Sequence, residues 1–388
     1  MTQTDAFLSR FTAGAWEIAA AKSAFFVSGF AFTTWVMFIP SLKQRLSVEA
    51  DVLGLLLLCI GASACFFMPL AGILSRHLTC RALLCATSLI AAADLLVIPH
   101  LPALWMYVPA LLVFGGCVGT LDVAINLNGV VVEQVSKKHI MSGMHAFYSV
   151  GCFVGAGLFS LLAKTAGLSD PWIAAVHVGI ILFLLALFSR HFLSYRADGS
   201  QKSGAVPKGA VILLGVMACI SFLSEGAVMD WGGVLLSEDK GVPLASAGLG
   251  LTAFSLSELL GRLFGDSLVR RFGPKMVVIP SAGAAACCFA AVGLSDALPM
   301  LVFFFFLLGF AVANIVPVMY TLIEKQQDMP IHAAVTAVTA MGYAGVLLGP
   351  SILGFIAHRF HIAVVFDSLA VLVLFQTALA LYIFRRLR

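Results

Sequence analysis

The 388-residue chain is 61% hydrophobic and 11% charged, with 23 Lys and Arg against 19 Asp and Glu, and its mean hydropathy is +1.03. Ordinary soluble domains are about 45–50% apolar and about 25% charged, so this composition excludes them and places the chain in a bilayer. The formal charge of +4 needs no nucleic-acid partner once its distribution across the membrane is traced.

From the N-terminus, Asp5 and Arg10 precede an apolar stretch too long for a signal-peptide core, with no small-residue cleavage site behind it. The first hydrophobic segment is therefore expected to stay. Crossing roughly 30 Å of hydrocarbon takes about twenty apolar residues. Windows of that kind fall at 18–40, 52–74, 82–98, 105–131, 142–164 and 172–190, then at 209–235, 244–268, 276–295, 299–323, 333–357 and 363–384. Twelve transmembrane helices are predicted. Of the nine cysteines, Cys59, Cys65, Cys117, Cys152 and Cys219 lie inside apolar runs; the close sets Cys80/Cys85 and Cys287/Cys288 resemble neither a disulfide framework nor a zinc site.

Between the sixth and seventh windows, Arg190 to Lys208 contains Asp198, Gly199, Ser200, Gln201, Ser203, Gly204 and Pro207. This polar, flexible stretch divides the chain into a bundle at 1–190, a cytoplasmic linker at 191–208 and a second bundle at 209–388. The halves are duplicates. Arg76 and Arg81 in one basic turn match Arg270 and Lys275 in another, both at an offset of 194 (270 − 76 and 275 − 81). Gly151 and Gly155 recur as Gly345 and Gly349 at that spacing, and Trp35 and Gly54 recur as Trp231 and Gly250 at 196. Two six-span repeats related in parallel, with a solute held between them near the midplane, are how many secondary transporters are built. On this map 17 of the 23 basic residues lie on one side, five (43, 45, 164, 240 and 359) on the other, and Arg262 inside a span. The positive side is cytoplasmic, so both termini are expected inside.

Ionisable groups inside a span cost roughly several kcal/mol unless they meet water or a partner, which makes each a functional candidate. In the fourth span, offsets of four and eleven residues turn by ~40° and ~20°, so Asp122, Asn126 and Glu133 share one face while Asn128 points elsewhere. Asp122 is either a proton or solute ligand or a carboxylate locked to a neighbouring helix; Glu133 sits at the cytoplasmic mouth, within reach of His145. His145, in the fifth span, is either a proton relay or a satisfied hydrogen-bonding group. Gly151 and Gly155 supply a seam for close helix contact there.

In the seventh span, Glu225 is a candidate solute or proton ligand. Asp230 is either a ligand or a hydrated helix end, and the ~140° between the two acids brings them to one cavity only if the helix bends. Trp231 and its counterpart Trp35 are either binding aromatics or interfacial anchors. Glu258 and Arg262, four apart in the eighth span, suit an ion pair that either packs or gates. Asp266, Arg270 and Lys275 at its end, like Arg76 and Arg81, are expected to latch helices. Asn314 in the tenth span, and Thr336, Thr339 and Tyr343 on one face of the eleventh, offer neutral hydrogen bonds. Asp94, His177 and Asp367 stand isolated, with no role beyond a buried partner or a span end.

The sequence contains no G-x-x-x-x-G-K-[ST] phosphate loop, no H-E-x-x-H pair and no soluble stretch long enough for a nucleotide-binding domain. The expectation is a gradient-driven protein with no cofactor, no metal and no enzyme activity.

Over essentially the whole chain these residues resemble the major facilitator superfamily. Its loop pattern, roughly G-x-x-x-D-R-x-G-R-R, is similar to Gly72-Ile-Leu-Ser-Arg76-His77-Leu-Thr-Cys80-Arg81 and to Leu268-Val-Arg270-Arg271-Phe-Gly273-Pro-Lys275. Both copies carry arginine where the family has aspartate, so the inner gate is expected to be held differently. Leu121-Asp122-Val-Ala-Ile-Asn126, Met141-Ser142-Gly-Met-His145-Ala146, Glu225-Gly226-Ala227 with Asp230-Trp231, and Gly261-Arg262-Leu-Phe-Gly265-Asp266 resemble the YbjJ/MosC-type branch. The resemblance implies an all-α fold of two six-helix bundles in a bacterial inner membrane. It also implies a permease for a small, sugar- or polyol-like solute; the chain is expected to be a monomer with lipid, protons and that solute as its partners.

The reading is a proton-coupled transporter whose bundles rock about a central site, with protonation of Asp122 or Glu225 and solute binding biasing one equilibrium. Its alternatives are an exporter of amphipathic drug-like compounds and a receptor or scaffold that does not transport.

Overall fold

The computed structural model describes residues 13–46, 50–196, 206–242, 246 and 248–387. Asp5, Arg10 and most of the polar linker, 197–205, lie outside the described residues. What is described consists of helices and turns, with no strand. In the first half run α1 (Ala15–Leu46), α2 (Ala50–His77), α3 (Cys80–Val97), α4 (Leu104–Ser136), α5 (Met141–Thr165) and α6 (Asp170–Phe188). In the second run α7 (Ala210–Val234), α8 (Leu249–Phe272), α9 (Pro274–Leu294), α10 (Leu298–Val312), α11 (Ile315–Ile323), α12 (Ile331–Arg359) and α13 (Ile362–Arg386).

Among the described residues, eleven stretches are long and apolar enough to cross a membrane, with α10 and α11 making one, Leu298–Ile323. α8 supplies the twelfth by length at 24 residues, but Glu258, Arg262 and Asp266 interrupt its apolar surface. The twelve-span plan therefore holds, with two departures. α7 runs on through a wider turn at Leu235–Asp239. The tenth span breaks at Asn314, whose φ of −111° and ψ of 3° leave the helix. Pro317 explains the break, since its ring lacks the N–H that would bond the Ala313 carbonyl and clashes with it.

The chain clusters into two compact units: Met1–Lys138, Met144–Ala205 and Ile331–Thr336 in the first, His139–Gly143, Val206–Pro330 and Ala337–Arg388 in the second. Each unit repeats the other's helix contacts. A Cβ on Gly151 of α5 would strike the Phe26 carbonyl of α1, and one on Gly345 of α12 would strike the Cys219 carbonyl of α7. Likewise Gly115 of α4 lies against the Ile60 carbonyl of α2, and Gly309 of α10 against the Phe254 carbonyl of α8. The last two contacts are 194 apart at both partners (309 − 115 and 254 − 60). Backbones this close need a missing side chain, and the duplicated glycines supply it. In the second unit Phe254, Phe289, Phe305 and Phe366 form an aromatic centre, with the Phe305 and Phe366 rings 6.1 Å apart at 86°.

Arg81, expected as a latch, is engaged within the first unit. Its Nε and Nη2 donate to the Phe192 carbonyl at 2.9 and 2.8 Å, and Nη2 donates to the Arg190 carbonyl at 2.6 Å. The Cys80 amide donates to the Tyr195 carbonyl at 2.8 Å. Residues 192–196, which composition assigns to the linker, thus fold back onto the start of α3. Burial holds the Tyr195 phenol well above its ordinary pKa, so it packs there as a neutral group.

Candidate functional site

In the second unit, α7 carries Glu225 and α8 carries Glu258 and Arg262 one turn apart. Arg262 Nη2 lies 2.6 Å from Glu258 Oε1 and 3.8 Å from Glu225 Oε2. The three side chains are only 8–13% exposed. The expected pair of Glu258 and Arg262 is there, and the structure adds Glu225 to it. Two carboxylates therefore share one guanidinium, and among the described residues neither acid has another ionic partner. Glu225 Oε1 is buried with no hydrogen bond, as is the Ser224 hydroxyl beside it.

Asn314 stands at the break of the tenth span and donates through Nδ2 to the Gly261 carbonyl at 2.8 Å. That bond fixes which end of the amide is oxygen. Oδ1 is left buried without a donor. This link to the residue preceding Arg262 needs the helix break, which the sequence signals only through Pro317.

In the first unit, Asp122 is half-buried in α4, and no hydrogen bond or ion pair joins its carboxylate among the described residues. Asn126 donates through Nδ2 to the Asp122 backbone carbonyl at 2.9 Å, leaving its Oδ1 buried and bare. Asn128 is 1% exposed and also keeps a bare Oδ1. An unpaired carboxylate and amide oxygens within a span are costly in a dry interface and are suited to a ligand or water.

The remaining expected residues are dispersed. Trp35 is 1% exposed and packs on Phe114 with ring centroids 6.2 Å apart, in the apolar interior rather than at a membrane surface. Asp230 is exposed, and α7 continues as α-helix through Val234, where a five-residue offset turns it ~140° from Glu225. Trp231 instead lines a cavity of about 420 Å³ with Glu238, Asp239, His358 and His361. Tyr343 is half-buried with its ring edge-on to Phe222, 6.0 Å away. Glu133 is 4% exposed near the end of α4, and His145 packs against Phe25 at 5.1 Å. Arg76 is half-buried at the end of α2. Asp266 Oδ2 accepts from the Gly143 amide at 3.0 Å, within the second unit. Arg270 is exposed and bonds Ser267 at 2.8 Å.

Several polar contacts carry no signal in the local sequence. Asp328 accepts from the Ala210 amide at 2.6 Å, capping α7, with Arg386 at 3.7 Å. His177, 0% exposed, meets Thr34 Oγ1 at 2.7 Å through Nδ1, and that hydroxyl already donates to the Phe30 carbonyl. The hydroxyl has one proton, so Nδ1–H is the donor and the Thr34 oxygen accepts.

Residues 213–388 match the sequence profile of the Major Facilitator Superfamily. An uncharacterized MFS-type transporter of Yersinia pestis is 35% identical over 369 residues, covering 92% of this chain and 94% of that protein. The membrane protein MosC of Rhizobium meliloti is 27% identical over 348 residues, 88% of this chain and 84% of MosC. Among solved structures, the chain is similar to FucP in the outward conformation, with a TM-score of 0.77 at 15% identity, covering 94% of this chain and 98% of FucP. It is also similar to the human organic anion transporter TETRAN, with a TM-score of 0.76 at 16% identity, covering 94% and 99%.

Proposed function

Since the chain belongs to the major facilitator superfamily of membrane transporters, we propose that it is a proton-coupled secondary transporter moving a small polar solute by alternating access. Its setting is a bacterial inner membrane, with both termini in the cytoplasm, as the Lys and Arg bias indicates. The observation that carries this reading is the sharing of Arg262 by Glu225 and Glu258.

A buried carboxylate left short of countercharge is relieved by a proton, by a cation or by water. A group that exchanges one of these for another as the chain changes state links a gradient to solute movement, because each ligand shifts the equilibrium by its differential affinity for the two states. Asp122 in the first unit is a second such group. A non-transporting receptor would carry these acids at a cost in stability without using them.

The test is solute flux into proteoliposomes holding the purified chain, with and without an imposed pH gradient. Accumulation that follows the gradient and collapses with a protonophore is expected. Flux equal in both conditions would remove the proton coupling, and no flux for any solute class would remove transport.

A further inference from the structure

Resting on the transporter reading, we infer that the solute brings hydrogen-bond donors and positive charge to this protein, and that anionic solutes are rejected.

The charges give the first reason. In the second unit Glu225 and Glu258 have Arg262 as their one ionic partner among the described residues, at 3.8 and 2.6 Å. With both acids ionised, the cluster is one positive charge short. An anion would have to draw Arg262 from carboxylates that have no other cation, leaving two buried negative charges unpaired. In the first unit Asp122 has no countercharge at all among the described residues.

The hydrogen bonds give an independent second reason. Asn314 and Asn126 each spend their NH2 on a backbone carbonyl, of Gly261 and Asp122 respectively, and each keeps a bare buried oxygen. Glu225 Oε1 and Asn128 Oδ1 are bare as well. The amide oxygens can only accept, and so can Glu225 Oε1 while it is ionised, so a ligand that reaches any one of them must donate. An ammonium offers three donors and the missing charge; a hydroxyl offers one donor and no charge; a carboxylate offers neither.

The test is thermal stabilisation of the purified full chain in detergent by two matched trios, with dissociation constants taken from the concentration dependence. The first trio is glucosamine, glucose and glucuronate; the second is 4-aminobutanol, butane-1,4-diol and 4-hydroxybutyrate. The amine of at least one trio is expected to bind about tenfold tighter than its neutral partner, with the carboxylate producing no shift. Glu225→Gln is expected to bring the amine-to-neutral ratio close to one. Should that variant fail to fold, the wild-type order decides alone. A carboxylate that binds best, an amine no better than its neutral partner, or no shift from any of the six overturns the inference. An amine that binds while no gradient drives flux leaves the inference standing and removes the transport reading.

Discussion

Arg262 stands between two acids, 2.6 Å from Glu258 and 3.8 Å from Glu225, and its removal leaves both buried without a cation. Arg262→Leu is expected to cost about 3–5 kcal/mol, the penalty for breaking a buried pair from one side. The double variant Glu258→Leu/Arg262→Leu is expected to recover much of that loss, since the orphaned charge goes too. Thermal unfolding in detergent measures both, and an Arg262→Leu variant as stable as wild type contradicts the shared-guanidinium account. At the helix end, Asp328→Ala removes the carboxylate that caps the Ala210 amide at 2.6 Å. Its expected cost is about 1 kcal/mol, read in the same assay. The pairing of Glu258 and Arg262 was legible in the sequence because four residues make one turn. Glu225's place beside them was not, because it depends on how α7 lies against α8. Trp35 and Trp231 show the same limit: duplicated positions carry the same side chain, yet one packs in an apolar interior and the other lines a cavity.

Helix seams are where the duplication acts. Gly151 and Gly345 let α5 lie on α1 and α12 on α7, with a partner carbonyl where a Cβ would stand. Gly349 differs, since an added Cβ would meet Leu223 Cγ at an ordinary 3.5 Å. Gly345→Leu is therefore expected to lose about 1–3 kcal/mol or more by overpacking, whereas Gly349→Ala stays within about 0.5 kcal/mol of wild type. Equal losses for the two variants would contradict the seam. Element number and length were legible because a span requires a fixed run of apolar residues. The interruption at Asn314 was not, because Asn314 and Pro317 sit in one uninterrupted apolar window whose composition is blind to a missing backbone donor. The return of residues 192–196 to α3 was hidden for a related reason: backbone carbonyls, rather than side chains, receive Arg81.

Across the molecule the scaffold is duplicated and the chemistry is not. At the offset of 194, Glu258 corresponds to Ala64 (258 − 194), Arg262 to Met68 and Asp122 to Val316, all three counterparts buried apolar residues. Each unit thus carries acids within its spans in places where the other has hydrocarbon, which is expected if the acids serve a ligand rather than the fold. The transporter family was legible because the duplicated motifs run through the whole chain. The difference in setting between Asp122, which has no ionic partner among the described residues, and the cluster at Arg262 is a property of three-dimensional pairing alone. The most direct test is Asp122→Asn in proteoliposomes, comparing accumulation driven by a pH gradient with exchange of solute at equilibrium. Loss of accumulation with exchange retained is the predicted result; accumulation at the wild-type level would contradict a coupling role for Asp122.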